Sequence, residues 1–358
     1  MDFGLSDEQR LLQDTVEKFL EKENDATKLR ARFDAAEAFD AGFWRGLAEL
    51  GLAGLVIPEA HGGAGLQLLD AALAAETLGR FAAPGPFLGH TLASLALALG
   101  GSAEQQRRWL PRLATGDAVA SVAFAEPGGV WQPEDWRLAA GPSLTGAKEH
   151  VQSGARADLL VVGTAGGGLA LVETGQGGAT VEPFPGVDRT RRLDTVRLEG
   201  AACDELPGGA AAATRVRDAG LVLLAADALA AGSRLLELSV AHAQTREQFG
   251  VAIGHFQAVK HQLVNMAVAI EPARALAWYA AHAFDHVPEE AARSAALAKA
   301  HLADQALEIA RAAVEVHGGI GFTWDCDVQL WFKRALFDRA FLGTPELHRE
   351  RAAQLAGW

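Results

Sequence analysis

The spacing of apolar residues predicts helices over residues 6–116. Ser6 is followed by Gln9 at the spacing of a capping box, which marks the start of the first helix. The apolar residues of that helix recur on one face: Leu12, Val16, Phe19 and Leu20. Further helices are predicted over 39–50 and along an Ala/Leu-rich segment that ends near Arg80.

The pattern changes over residues 117–209, where short apolar runs alternate with clusters of Gly, Pro and Asp. The predicted strands lie at 119–124, 158–162, 169–172 and 195–198. Short strands with turn signals between them indicate a compact antiparallel sheet domain or a barrel.

Long helical patterns return after residue 211, and their short connections favour an antiparallel four-helix bundle. The predicted helices cover 214–243, 254–283, 289–316 and 327–354. Pro272 should kink or break the second of them. The sequence therefore predicts a mainly α fold with a small β domain, divided into a helical domain at 1–116, a β domain at 117–210 and a four-helix bundle at 211–358.

Composition narrows the class of protein. A chain of 358 residues that is 49% hydrophobic can bury a large core. Its net charge of -13 argues against a general binder of nucleic acid or of anionic membranes, because such a chain repels phosphates. The most apolar segment, 221–231, contains Asp227 and lies between Arg217 and Arg234, so we expect no membrane span.

Cysteine and histidine usage bears on location and on metals. Cys203 and Cys326 lie far apart and form no CxxC pair, which predicts neither a disulfide framework nor a cysteine-based zinc site. The histidines also lack the spacing of metal ligands, so we expect no metal. A reducing cytoplasm is the expected location.

Four stretches of sequence, taken together, resemble one protein family. They are FGLSDEQRLLQDTVEKFL at 3–20, LAELGLAGLVIPEAHGGAGL at 47–66, TREQFGVAIGHFQAVKH at 245–261 and VEVHGGIGFTWDCDVQLWFKRA at 314–335. With these motifs and the order of helical domain, β domain and bundle, the chain resembles the acyl-CoA dehydrogenase family over essentially its whole length. It is most similar in character to the short actinobacterial members that are encoded in pairs and linked to the breakdown of steroid and other bulky acyl-CoA thioesters.

The resemblance implies an FAD-linked α,β-dehydrogenation of an acyl-CoA substrate, with an electron-transfer acceptor downstream. In this family a glutamate in an apolar pocket removes the α-proton while the β-hydrogen leaves as hydride. That glutamate occupies one of two positions, which correspond here to Leu342 and to the neighbourhood of Gly220. Neither residue can accept a proton. Asp218 is interpreted as a helix-start residue, and Asp227 as the partner of an arginine or as a weak substitute base.

The flavin-ring contacts of the family are also altered. Residues 125–131 read AEPGGVW where the family has a threonine, and then small residues, around the flavin. His150 and Gln152 stand where the family has tryptophan and threonine. The resemblance thus implies either an eroded ring site or a variant pocket rebuilt by His150 and Gln152. The basic run at 189–192 is expected in a solvated loop, or as a source of cations for the phosphates of the acyl-CoA.

A second half of the FAD site is kept. In this family the bundle of one subunit reaches the FAD of its neighbour, and Arg246 matches the arginine that meets the pyrophosphate. The other cofactor contacts implied by the resemblance are Gln248, Phe249, Gln257, Glu315, Gly318 and Gly319. Glu315 departs from the usual glutamine and puts a negative charge near the expected anion.

The lost features act within one subunit, and the kept features act across a dimer. We therefore expect the base-deficient subunit of a heteromeric α2β2 enzyme that shares FAD with a homologous catalytic partner. A homo-oligomeric dehydrogenase with a substitute base is one alternative. A flavin-free scaffold that only stabilises a partner is another.

Overall fold

The computed structural model describes residues 4–35 and 39–358, and it begins with a set of helices. These are α1 (Asp7–Glu23), α2 (Ala26–Asp34), α3 (Ala41–Glu49), α4 (Leu68–Arg80), α5 (Phe87–Gly100) and α6 (Ala103–Ala114). The predicted capping box is confirmed, since Gln9 N donates to Ser6 Oγ at 3.2 Å and Ser6 N donates to Gln9 Oε1 at 3.0 Å. The second predicted helix begins two residues late, because Asp40 caps α3 by accepting from Phe43 N.

The β domain follows α6 and contains two sheets. Its strands are β1 (Ala120–Ala123), β2 (Ser143–Gln152), β3 (Leu159–Thr164), β4 (Gly168–Glu173), β5 (Ala179–Phe184), β6 (Leu193–Ala202) and β7 (Asp204–Glu205). One sheet has the order β1-β3-β4-β7 and the other β2-β6-β5. The expectation of purely antiparallel pairing is wrong for β1 and β3, which run parallel. Strands β2 and β5 were not predicted, because much of each strand is exposed and neither contains a run of apolar residues.

The bundle has the predicted order of helices, with two of them interrupted. Its helices are α7 (Gly209–Thr245), α8 (Gln257–Ile270), α9 (Ala273–His286), α10 (Pro288–His317), α11 (Val328–Ala340) and α12 (Pro345–Leu355). The break expected at Pro272 is confirmed between α8 and α9. The single helix predicted over 327–354 is wrong. Leu342 and Gly343 have φ of +59° and +107°, which an α-helix cannot accommodate, so the chain turns between α11 and α12.

Helix α7 is the centre of the molecule. Within the described residues it is the one helix long and apolar enough to cross a membrane, yet 89% of its most apolar window is buried inside the protein. It packs against α4, α10 and α11, and residues 216–232 are continuously buried. The mainly α fold with a small β domain is confirmed. Helix α7 is a core helix that packs against both the N-terminal helices and the other helices of the bundle.

A buried group of charged side chains joins the three parts of the chain; we call it the Arg334 cluster. It consists of Arg334 on α11, Asp227 on α7, and Asp188 and Arg191 in the loop before β6. Arg334 Nε lies 2.7 Å from Asp188 Oδ2, and Arg334 Nη1 lies 3.1 Å from each oxygen of Asp227. Arg191 Nη2 donates to Asp227 Oδ2 at 2.5 Å. No side chain in the cluster is more than 3% exposed.

The cluster also determines how Asp227 ionises. Burial disfavours its charged form, but the two guanidinium groups of Arg334 and Arg191 outweigh burial and hold the pKa of Asp227 below its usual value. Asp338, one turn after Arg334, is buried without a hydrogen-bond partner for its carboxyl among the described residues. Burial and the neighbouring Asp227 raise the pKa of Asp338 well above its usual value, so its neutral form is favoured.

Removal of one partner from this cluster should be costly. Arg334→Met leaves Asp188 and Asp227 buried without their shared cation, and we expect it to lower the free energy of unfolding by about 3–5 kcal/mol. Urea denaturation followed by tryptophan fluorescence at fixed protein concentration measures the change. Arg311→Met is the matched control: it removes an exposed guanidinium that pairs with Glu308, and it should cost less than about 1 kcal/mol. Equal losses in the two variants would contradict the structural role of the cluster.

Candidate functional site

The two positions at which the family carries its base lie against each other in the core. Leu342 is 1% exposed and occupies the turn between α11 and α12. A Cβ built on Gly220 would lie only 2.4 Å from Leu342 Cδ1 and 3.2 Å from Leu92 Cδ1. The absence of a side chain at Gly220 is therefore what admits the leucine. The space where a carboxylate would act on a substrate is filled by aliphatic carbon.

The nearby carboxylates are both engaged elsewhere. Both oxygens of Asp227 bind arginines of the Arg334 cluster, and its lowered pKa makes it a poor proton acceptor, so the structure argues against it as a substitute base. The interpretation of Asp218 as a helix-start residue is wrong, because α7 begins at Gly209 and Asp218 lies in its third turn. Asp218 is buried and pairs with Arg217 at 3.2 Å and with Arg351 at 2.8 Å.

Aromatic rings fill the region where the family contacts the flavin ring. The ring centroids of Trp131 and His150 are 5.5 Å apart, and those of Trp131 and Phe341 are 5.0 Å apart. His150 also packs against Phe184 at 4.4 Å, and Phe337 stacks on Phe341 at 4.9 Å. Because these rings touch one another, no further ring fits between them. We call this group the aromatic wedge.

Gln152 does not rebuild a flavin contact. Its Oε1 accepts a hydrogen bond from Gly89 N at 2.9 Å, and its Nε2 donates to Gly85 O at 3.2 Å. Both partners belong to the end of the loop before α5 and to α5 itself, so the side chain fastens the β domain to the N-terminal helices. His150 has φ of +55° at an irregularity of β2, which turns its ring into the wedge.

A buried polar bridge closes the same region from the side. Arg217 Nη1 donates to Gln132 Oε1 at 3.2 Å, and Gln132 follows Trp131 of the wedge directly. Arg217 in turn pairs with Asp218, which also binds Arg351 of α12. The bridge therefore holds the loop that carries Trp131 against both α7 and α12.

The turn that carries Leu342 is fastened by a buried histidine. His348 Nε2 lies 3.0 Å from Leu342 O, and burial together with the nearby Lys299 lowers the pKa of His348 to about 3. The imidazole is thus neutral and donates through Nε2 to the carbonyl of Leu342. Together with the wedge and the polar bridge, this contact packs protein side chains into the region that the resemblance assigns to the flavin ring.

The other predicted cofactor residues lie on an open surface at one end of the bundle. The helices alternate in direction, so the last residues of α7 and α10 and the first residue of α8, Gln257, lie at the same end. A hairpin of β8 (Glu247–Gln248) and β9 (Val251–Ala252) projects from it. We call this region, with Arg246 and Gly318, the open bundle end.

The tip of the hairpin presents an aromatic ring to solvent. Phe249 and Gly250 form its two-residue loop with φ of +55° and +80°, the signs of a type I′ turn. Positive φ is uncommon for phenylalanine, and the side chain is 92% exposed. Arg246 at the base of the hairpin is exposed and makes no ion pair or side-chain hydrogen bond within the described chain. An exposed, unpaired cation and an exposed ring, which among the described aromatic rings touches only the edge of Phe256 at 6.0 Å, are features suited to an external ligand.

The end of α10 completes this surface. Gly318 has φ of +65° and ψ of -141°, a conformation essentially restricted to glycine. A Cβ at Gly318 or Gly319 would meet no atom of the described chain within 4 Å, so the backbone there is approachable from outside. Glu315 accepts a hydrogen bond from Gln262 Nε2 at 2.9 Å, which draws its carboxylate toward α8. Arg246 and the approachable backbone at 318–319 thus leave the open bundle end accessible from outside the chain.

Two histidines at this end were missed as site candidates. His242 and His317 stack with ring centroids 4.3 Å apart and an angle of 24° between the planes. The signal was present in the sequence, because His242 lies one helical turn before Arg246 and His317 directly precedes Gly318.

The expectation of a solvated loop for the basic run at 189–192 is wrong for Arg191, which is buried in the Arg334 cluster.

Comparison with known proteins identifies the family. Residues 6–117 match the family described as acyl-CoA dehydrogenase, N-terminal domain, and residues 208–356 match acyl-CoA dehydrogenase, C-terminal domain. The acyl-CoA dehydrogenase IpdE2 of Mycolicibacterium smegmatis is 35% identical over 95% of this chain and 96% of its own length.

Solved structures agree with the sequence relatives. A variant of the Tcur3481–Tcur3483 steroid ACAD superposes with a TM-score of 0.90 at 31% identity, covering 98% of both chains. The ChsE4–ChsE5 complex from Mycobacterium tuberculosis superposes with a TM-score of 0.90 at 26% identity, covering 100% of this chain and 99% of that chain. Members of this family bind FAD. On its two domain matches and its fold, the chain belongs to the acyl-CoA dehydrogenase family.

Proposed function

We propose that this chain is the base-deficient subunit of a heteromeric α2β2 acyl-CoA dehydrogenase. It would lend its open bundle end to FAD bound in a homologous catalytic partner, in the cytoplasm. The observation that carries the proposal is the contrast between two regions. Leu342 packs on Gly220 and the aromatic wedge fills the chain's own ring site, whereas Arg246 and Phe249 remain exposed.

The two subunits would divide the reaction. The partner would bind the acyl-CoA thioester and supply the carboxylate that removes the α-proton. Bound FAD would accept the β-hydrogen as hydride and pass electrons to an electron-transfer acceptor. At the two positions that correspond to the family's base this chain has Leu342 and Gly220, neither of which carries a carboxylate.

The residues of this chain would act on the cofactor by binding it. Arg246 is a permanent cation with several donors, which suits it to bridge the oxygens of a pyrophosphate. Phe249 would pack against the adenine end, with Gln248 and Gln257 as amide donors nearby. Gly318 and Gly319 would let the backbone approach the diphosphate, since a Cβ would stand in the way of the ligand.

The relatives support a paired, steroid-directed enzyme. The solved neighbours include a steroid ACAD with two named components and the ChsE4–ChsE5 complex. Coverage of those chains is nearly complete, so the likeness extends over the whole subunit rather than one domain. We therefore propose a bulky, steroid-derived acyl-CoA as the substrate class of the assembled enzyme.

Flavin content should depend on the partner. Purified alone, the chain should be colourless. Co-expressed with its catalytic partner, it should yield a complex with about one FAD per heterodimer, because only one of the two ring sites is open. Absorbance at flavin wavelengths with quantitative protein analysis measures the ratio. Yellow protein from this chain alone would support a homo-oligomeric enzyme instead, and a colourless complex with every partner would support a scaffold.

Arg246→Ala should weaken FAD binding by the complex without breaking the assembly. Loss of one charge-assisted contact to phosphate costs about 1.5–3 kcal/mol, or roughly 10- to 150-fold in the dissociation constant. Flavin fluorescence on reconstitution of the apo complex measures it. Arg293→Ala is the control, since Arg293 is exposed near the start of α10, at the far end of the bundle. Equal affinities for the two variants would contradict the assignment of Arg246.

Restoring the family glutamate should not restore a base. Leu342→Glu puts a carboxyl group against Leu92 and Gly220 in a closed apolar contact, so we expect a loss on the order of 3 kcal/mol in the free energy of unfolding and no dehydrogenase activity. Leu342→Met conserves volume and should cost less than about 1.5 kcal/mol. Thermal unfolding and turnover of acyl-CoA thioesters with an artificial electron acceptor test both. A stable, yellow, active Leu342→Glu chain would mean that this site is open.

A further inference from the structure

The stacked imidazoles of His242 and His317 lie between the two parts of the open bundle end. His242 is on the last turns of α7, one turn before Arg246, and His317 ends α10 directly before Gly318. Their ring centroids are 4.3 Å apart. His317 Nδ1 lies 2.8 Å from Ala313 O and donates to it, which leaves Nε2 of that ring without a partner among the described residues. Both rings are partly exposed.

The electrostatic surroundings favour the neutral form of His242 in the free chain. Burial, the neighbouring His317 and the cation of Arg246 together lower the pKa of His242. Other charged or titratable groups are carried by the elements that meet at this end: Glu247 on the hairpin, His255 before α8, Lys260 and His261 on α8, and Glu315 on α10. Of these, Glu315 is engaged by Gln262 at 2.9 Å.

We propose that His242 and His317 are part of the dinucleotide site and take up a proton when the diphosphate of the partner's FAD binds between Arg246 and Gly318. This inference rests on the proposed function. The diphosphate brings negative charge to a surface where burial, His317 and the cation of Arg246 together favour the neutral form of His242. That charge compensates Arg246 and favours an imidazolium in the pair, which then donates to a phosphate oxygen. The two rings thus act as binding residues whose contribution depends on pH.

The direction of the pH dependence follows from linkage. The affinity increases as pH falls through the interval between the two pKa values, because the bound state holds more protons than the free state there. The affinity is constant below the lower value. An increase of about one unit on binding corresponds to a tenfold change in the dissociation constant at most. We therefore expect FAD to bind the apo complex more tightly at pH 6 than at pH 8, by about sixfold at most.

Proton uptake can be measured directly on the unaltered complex. Titration calorimetry of FAD into the apo heteromer, at pH 7 in two buffers of different ionisation enthalpy, gives the number of protons taken up. For an increase of about one unit we expect a measurable fraction of a proton per FAD, at most about one half. Binding without proton uptake would overturn the inference, whatever the affinity.

Variants assign the uptake to this pair. His242→Gln and His317→Gln each keep a polar side chain that cannot titrate, and each should reduce the uptake by more than half and flatten the pH dependence. If one variant fails to assemble, the other provides the same test. His282→Gln is the matched control, because His282 stacks on His286 with centroids 4.5 Å apart near the end of α9, away from the open bundle end. Wild-type uptake in both site variants would overturn the inference.

The outcome is separable from that of the proposed function. Loss of affinity in Arg246→Ala with unchanged proton uptake in the histidine variants would leave the shared FAD site standing and remove the histidines from it. If the Arg246→Ala complex binds FAD as tightly as the unaltered complex, the shared FAD site itself is contradicted.

Discussion

A single buried guanidinium, that of Arg334, determines how the parts of this molecule meet. It contacts Asp227 of the central helix, Asp188 of the β domain and the carbonyl of Ala83 in the loop between α4 and α5. A charge with no access to water must be fully paired, so these segments have little freedom to move relative to α11. The charges balance, because Arg334 and Arg191 face Asp227 and Asp188 while neighbouring Asp338 favours its neutral form. With α11 held in this way, the turn that follows it is also held, and Leu342 lies over Gly220.

That constraint separates the inside of the subunit from its outer surface. Inside, the wedge, the Gln132–Arg217 bridge and His348 all close on the turn after α11. Outside, the hairpin and the end of α10 carry few internal contacts and present Arg246, Phe249 and Gly318 to a ligand. Backbone strain occurs in both regions, at Leu342 with φ of +59° and at Phe249 with φ of +55°. The first is stabilised by core packing, whereas the second lies on the exposed tip of a two-residue turn.

Periodicity and local rules predicted much of the fold. The capping box at Ser6, the break at Pro272 and the order of helices, strands and bundle all follow from local chemistry. The absence of a carboxylate at Leu342 and Gly220, the two positions that the resemblance assigns to the base, could likewise be seen in the sequence. The sequence could not show that Leu342 and Gly220 touch, because their contact depends on the turn after α11. For the same reason Arg191, read as solvated from its basic neighbours, is buried through a tertiary ion pair with Asp227.

The closed ring site that we propose for this chain bears on stoichiometry as well as on catalysis. For this chain to bind a flavin ring of its own, Trp131 would have to leave both His150 and Phe341. Each aromatic pair contributes about 0.5–1.5 kcal/mol beyond its buried area, so breaking two of them weakens binding by roughly 5- to 150-fold. Displacing Leu342 from Gly220 adds a packing loss of similar or larger size. An enzyme with two kinds of subunit gains from such selectivity, because FAD then occupies the site that has a base and avoids the one that does not. In the proposed enzyme, the same substitutions that deprive this chain of a base would leave its open bundle end to serve FAD bound by the partner.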